Sequence, residues 1–306
     1  MIIEHPKSPM IPKLEGLHLF HYDGAPCAQR VRFALHEKGL LRGREVPFDA
    51  DDPDACRGED GRWVSRPVSL AKKEHLSETY AQIQPNLVVP ALVHDGELHI
   101  ESMDIVAYLD DTFGGAPLIP RHDPARLSDS EALTQRGKDL HRSIRFVTFR
   151  WGLGGLARLS SKEETELKAL LANSADGEKL IDFYEGYDKK TIPETVYLDH
   201  LHKLNAAFRD LEQRMEDGRL FLTGDDLTMA DIIWAMKTLR LTECGYPFKT
   251  LFPAYHAWFE RVSSRPAFQD GVMGRHWLMS NAFKVKASVE HLLGVGLKKE
   301  VLKHVA

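Results

Sequence analysis

Three short stretches of this chain hold residue types that do chemistry. In YDGAPCAQRVRFALHEKGL, Cys27 stands at the start of a helical pattern, with Arg30 and Arg32 just downstream. At a helix start the backbone N–H groups point outward and the dipole is positive, which favours a thiolate. A cysteine there is either an activated nucleophile or a small buried thiol that packs the helix. Further along, Val89-Pro90 opens an apolar strand and Glu101-Ser102 opens another helical pattern. A serine in that place offers a hydroxyl, a free N–H and the positive dipole end to an incoming carboxylate, and the glutamate beside it can accept from an ammonium. Taken singly, Ser102 is also a plain N-cap and Pro90 a plain strand start. Read together with the thiol, they favour the functional reading.

The other two cysteines, Cys56 and Cys244, share no CxxC spacing with Cys27, which points to a reducing compartment and away from a disulfide framework or a zinc site. Acidic neighbours around Cys56 disfavour its thiolate. His200 and His202, two apart on a helical pattern, fall on different faces, so no metal site is expected.

The elements that must position these residues follow from periodicity. An apolar run from Leu17 to Tyr22 reads as a strand, followed by a tight turn and a helix over 27–38 with Val31, Ala34, Leu35 and Lys38 on one face and Gly39 as its stop. The strand entered at Val89-Pro90 turns at Asp95-Gly96 into a short strand over 97–100, and the helix from Ser102 follows. Residues 50–75 interrupt this pattern with a long polar segment bearing Gly and Pro, a length usually functional or disordered. Trp63 within it either covers the site as a lid or sits in a satellite cluster under the loop.

Gly and Pro signals mark 114–127 as a linker. Beyond it the patterns are helical throughout, over 126–158, 161–172, 194–217, 228–244 and 252–263. Thr228 and Asp231 form a capping box ahead of Ile232, Ile233, Ala235 and Met236, a structural feature. His141, Arg142 and Arg145 either line a second-substrate pocket or, as basic residues at such spacing more often do, form a solvated face, and Phe146, Phe149 and Trp151 read as core or dimer contact. The expected organisation is an arm over 1–16, an α/β domain over 17–113, the linker, an all-helical domain over 128–273 and a tail over 274–306. That tail is either an amphipathic helix folded back over a pocket or a solvated helix interrupted by glycines.

Composition bounds the function classes. With 306 residues, 43% apolar and 28% charged, the chain is long enough for two sizeable cores. Its 40 Lys and Arg are scattered and outnumbered by 45 Asp and Glu, for a net charge of −5, which gives no reason to expect nucleic acid. No run of roughly 18 apolar residues suits a membrane span, and the proline-broken N-terminus does not suit a signal peptide, so a cytoplasmic protein without a membrane partner is expected.

Strand–turn–Cys–helix, then the Val-Pro strand, hairpin and Glu-Ser helix, resembles the thioredoxin-like domain of the glutathione transferase superfamily. That resemblance implies an α/β thioredoxin-like N-terminal domain followed by an all-α helical bundle domain, glutathione as co-substrate, and a homodimer. It implies a cis Val89-Pro90 bond, with Val89 offering its backbone to the cysteinyl part of glutathione and Glu101-Ser102 holding the γ-glutamyl end. Many members activate glutathione with a residue two places before Cys27, but here that slot is Ala25 and has no hydroxyl. The arrangement Cys27, Arg30, Arg32 is similar to maleylacetoacetate isomerases, and closer to glutathione-dependent reductive dehalogenases of chlorinated hydroquinones. The latter likeness takes in RPVS, LVVP, LTMADIIWA and RPAF. It implies a catalytic Cys27 that attacks the sulfur of a glutathione conjugate. Glutathione lyase, deglutathionylating or isomerase chemistry, or a non-catalytic binding module, are the alternatives. The helical domain builds the second substrate's pocket in such proteins, so the second substrate stays open.

Overall fold

The apolar run at Leu17 forms a strand, Leu17–His21, in which every residue is buried, as a central strand covered on both faces must be. In the computed structural model, which describes residues 1–153, 160, 164–165, 167–169 and 175–305, it is β2 of one mixed sheet. The others are β1 (Ile2–Ile3), β3 (Leu41–Glu45), β4 (Arg62–Pro67), β5 (Ala91–His94) and β6 (Glu97–His99), in the order β1-β6-β5-β2-β4-β3. β2 runs parallel to β4, with Leu17 opposite Trp63, and antiparallel to β5, with Phe20 opposite Ala91. The β5–β6 turn places Asp95 and Gly96 at φ 47° and 82°, the left-handed pair that a two-residue hairpin needs.

Helices α1 (Pro26–Glu37), α2 (Pro53–Cys56), α3 (Glu78–Ala81) and α4 (Ser102–Thr112) complete the α/β part. The expected helix over 27–38, the strand before it and the hairpin strands around Asp95-Gly96 are found within a residue or two, whereas β3, directly after the helix, is not among the expected elements. The polar segment over 50–75 departs from expectation, because it contains α2 and β4, and β4 pairs directly with the central strand. Trp63 is not a lid: it lies in β4 with no exposed surface, edge-on to the His21 ring at 5.4 Å, with the Arg42 guanidinium over its face. Arg66, also wholly buried, staples the segment down. It donates to the carbonyls of Pro47, Phe48, Ala50 and Ala55, and from Nε to Nδ1 of His18 at 3.0 Å. Burial lowers its pKa to about 10. The N-terminal residues belong to the sheet as well, Ile2 pairing with His99, while Met10, Ile11 and Leu14 are buried in the core.

The chain falls into two units, Met1–Gly115 with Arg158–Thr191, and Ala116–Ala157 with Ile192–Ala306. In the first, α7 (Ala175–Asp188) brings Ile181 and Tyr184 against Leu76 and Leu87. The second holds α5 (Pro124–Asp139), α6 (His141–Thr148), α8 (Glu194–Met215), α9 (Met229–Glu243), α10 (Phe248–Leu251), α11 (Pro253–Ser263), α12 (Pro266–Phe268), α13 (Trp277–Leu292) and α14 (Leu297–His304). The helix expected over 126–158 breaks at Leu140 into α5 and α6 and passes into a π-helical turn over Phe149–Leu153. Its last residues, and most of the helix expected over 161–172, lie outside the described residues. The capping box is present. Asp231, fully buried, accepts from the backbone N–H of Thr228 and Leu222 and from Trp258 Nε1, a fold-stabilising arrangement with no chemistry of its own. His200 is occupied by Ser143 at 2.9 Å. Trp151 and Phe146 are buried against Tyr197.

Candidate active site

Cys27 is the second residue of α1, following Ala25 at the N-cap (φ −88°, ψ 118°) and Pro26 at the first helical position. The proline presets the helical φ where its missing N–H costs nothing. The backbone N–H groups of that first turn have no carbonyl within the helix, so Cys27 sits at the positive end of the dipole. Its thiol is partly exposed, whereas Cys56 and Cys244 are buried. Burial pushes the Cys56 thiol up and the Cys244 thiol up to about 12, so neither offers a thiolate near neutral pH.

One turn along α1, Arg30 lies on the same face as Cys27, because residues three apart are neighbours on a helix. Its Nη1 donates to Cys27 Sγ at 3.6 Å and to Ser102 Oγ at 3.1 Å, joining the starts of α1 and α4. Arg32, two residues on and therefore on the opposite face, does not share this role. It is buried with its Nη1 donating to Tyr22 O and its Nη2 to Asp23 O, and it meets His21 Nδ1 at 3.2 Å. Burial lowers its pKa to about 10. Arg32 thus fixes the turn ahead of Cys27 and leaves the thiol to Arg30.

Ser102 is the first residue of α4 and is buried, while Glu101 before it is exposed at the N-cap. Glu101 takes φ 66° and ψ 110°, a left-handed conformation that costs a side-chain-bearing residue about 1–3 kcal/mol and concentrates at functional positions. The Val89-Pro90 bond is cis and Val89 is buried. The loop ahead of it is held by Tyr80, whose hydroxyl donates to Val88 O at 2.9 Å, and by Gln84, which accepts from the Asn86 N–H at 2.8 Å. Asn86 Nδ2 in turn donates to Glu101 Oε1 at 3.4 Å.

The structure therefore brings Cys27 and Ser102 together through Arg30, and ties Glu101 to the Val89-Pro90 loop through Asn86. Among the described residues no hydrogen bond links Val89 directly to Cys27. Arg30 as a bridge, and Asn86, Tyr80 and Gln84 as loop holders, are not legible in the sequence. The Cys27–Arg30 spacing is visible there, but nothing local shows that Ser102, 72 residues away, completes the contact. Among the described residues no cluster of His, Cys, Asp and Glu is placed to hold a metal, and no helix is long and apolar enough to cross a membrane.

Comparison with known proteins bears on the fold and the family. Family models match for the glutathione S-transferase N-terminal domain over residues 19–117 and the glutathione S-transferase C-terminal domain over 161–266. Glutathione S-transferase Z1 of Arabidopsis thaliana is 33% identical over 266 residues, covering 84% of this chain and 92% of the relative. The 2,5-dichlorohydroquinone reductive dechlorinase of Sphingobium indicum is 26% identical over 291 residues, 83% of this chain and 82% of the relative. Among solved structures, the beta-etherase LigF from Sphingobium sp. strain SYK-6 superimposes with a TM-score of 0.68 at 21% identity, over 83% of this chain and 98% of that one, a likeness of fold.

Proposed function

This chain belongs to the glutathione S-transferase family, and on that premise we propose that it is a glutathione-dependent enzyme in which Cys27 carries out reductive removal on an electrophilic, halogenated aromatic substrate. The observation that carries the reading is the partly exposed thiol at the start of α1, joined through Arg30 to the hydroxyl of Ser102 at the start of α4. A carboxylate-binding helix start beside a nucleophilic sulfur suits glutathione and its conjugates. In this reading Ser102 takes the γ-glutamyl carboxylate, Glu101 its ammonium, and the backbone of Val89, before cis Pro90, the cysteinyl part.

The chemistry runs in three steps. A first glutathione thiolate displaces halide from the electron-poor ring and forms an aryl thioether. The Cys27 thiolate then attacks the conjugate's sulfur. The new S–S bond forms as the C–S bond breaks, and the electron pair goes to the ring carbon, which takes up a proton. A second glutathione thiolate attacks the Cys27–glutathione disulfide, releasing oxidised glutathione and restoring the Cys27 thiolate. The ring gains two electrons and two glutathione thiols lose them. Ala25 supplies no hydroxyl for the first step, which suits a site whose distinctive work is attack at sulfur. In this reading the subunits pair as a homodimer in the cytoplasm; light scattering should then give a particle of twice the 34.7 kDa chain, and a monomer mass would count against it.

Incubation of chlorinated hydroquinones and aryl thioether conjugates with glutathione, with mass-spectrometric readout, tests the reading. Dechlorinated hydroquinone with an equal amount of oxidised glutathione supports it. An isomerised product without oxidised glutathione, or products unchanged between wild type and Cys27→Ser, contradicts it.

A further inference from the structure

We propose that Arg30 is a catalytic residue of this site, a counter-cation that serves two anions at once: the Cys27 thiolate directly and the ligand's carboxylate through Ser102. The inference rests on the function proposed above. Its starting point is a buried charge with no anionic partner among the described residues. Arg30 is 5% exposed, forms no ion pair among the described residues, and its Nε is buried without a hydrogen-bond acceptor. The other two buried guanidiniums of this domain are saturated: Arg66 takes four backbone carbonyls, and Arg32 takes two as well as the Asp23 carboxylate at 3.8 Å.

Among the described residues Arg30 has only a sulfur and a hydroxyl as acceptors, both neutral until the thiol ionises. A buried cation is unfavourable until an anion meets it, and the nearest atom able to become one is Cys27 Sγ at 3.6 Å. Nη1 carries two N–H groups, one for each acceptor. Accepting from Arg30 commits one lone pair of Ser102 Oγ, so the serine's own proton is polarised and free to point to a carboxylate. One guanidinium thereby supports both the nucleophile and the anchoring end of the ligand, in a chain whose usual activator slot is occupied by Ala25.

The test uses the full chain in a Cys56→Ser, Cys244→Ser background, so that Cys27 alone contributes thiol signal. Thiolate absorbance at 240 nm and the iodoacetamide alkylation rate are read at pH 7 without glutathione, and glutathione affinity is read separately by calorimetry. Because the first two measurements contain no ligand, they stand whether or not the chain proves to bind glutathione. Arg30→Met should lose most of the absorbance, alkylate at least tenfold more slowly and bind glutathione at least fivefold more weakly. Arg30→Lys, which keeps the charge but not the fork, should recover much of the thiolate signal. If Arg30→Met does not fold, Arg30→Gln gives the same reading through a polar, uncharged side chain. Unchanged absorbance and alkylation in a folded, uncharged variant overturn the proposal. So does an equal loss in Arg30→Lys and Arg30→Met, which identifies a packing role, or a loss of affinity with the sulfur signal intact.

Discussion

Replacing Glu101 and Ser102 by alanine separates a buried contribution to ligand binding from an exposed one. Ser102 is 8% exposed and its hydroxyl is oriented by Arg30, so its hydrogen bond to a carboxylate is made in a water-poor setting. A hydrogen bond to a charged group contributes about 1.5–3 kcal/mol. Glu101 is exposed, and an ion pair there contributes about 0.2–1 kcal/mol. At about 1.4 kcal/mol per tenfold, Ser102→Ala should weaken glutathione binding by roughly ten- to a hundredfold, and Glu101→Ala by no more than about fivefold. The double variant should lose at least about tenfold. Calorimetric titration at pH 7, with thermal melts to verify that Arg30 tolerates losing its serine acceptor, gives all three values. An unchanged affinity in the double variant refutes the assignment of the subsite. A larger loss from Glu101→Ala than from Ser102→Ala refutes the reasoning from burial.

Three further outcomes follow from the packing. His18 and His200 both have folded-state pKa values lowered from 6.5 to about 4, each by burial first and then by neighbouring cations. Below pH 6.5 the unfolded chain therefore binds protons that the folded chain refuses, and stability is lost as pH falls toward 4, by up to about 3 kcal/mol for each histidine. Urea unfolding at pH 7, 5.5 and 4.5 should show this decline and His200→Gln should flatten it; equal slopes in the two proteins would contradict the cause. Trp63→Ala should destabilise the protein by about 3–5 kcal/mol, as loss of a wholly buried indole does, while a folded variant altered only in KM would restore the lid. Asp231→Ala strands two backbone N–H groups and the Trp258 indole, so a loss of at least about 3 kcal/mol is expected in denaturant unfolding, and a loss below about 1 kcal/mol would contradict the buried network.

What the sequence reveals of this protein is what local rules decide. The start of α1 at Pro26 and Cys27, the hairpin at Asp95-Gly96 and the capping box at Thr228 each rest on residues within a few positions of one another, and each is found in the structure. β4 is different. RWVSRP has two arginines and a proline, and it becomes a strand because Arg66 finds His18 and the carbonyls of the 47–55 loop while Trp63 finds His21, all non-local partners. The break at Leu140 is equally hidden, since a continuous helical pattern runs through it. At the site, the residue types of Cys27, Glu101 and Ser102 suggest their chemistry, but Arg30's bridge depends on the docking of α4 beside α1. The division of labour between Arg30 and Arg32 could be read from their spacing once one knows which face of α1 is covered.

Intact-mass spectrometry of acid-quenched enzyme measures directly whether Cys27 forms a covalent bond with glutathione during turnover. During turnover of a chlorinated hydroquinone, or of its glutathione conjugate, the spectrum should show the chain carrying one glutathione as a disulfide, mapped to the peptide containing Cys27 and absent in Cys27→Ser. A full turnover rate in Cys27→Ser, or unmodified enzyme at every time point while product accumulates, would mean that Cys27 packs the helix and the sulfur chemistry is done elsewhere.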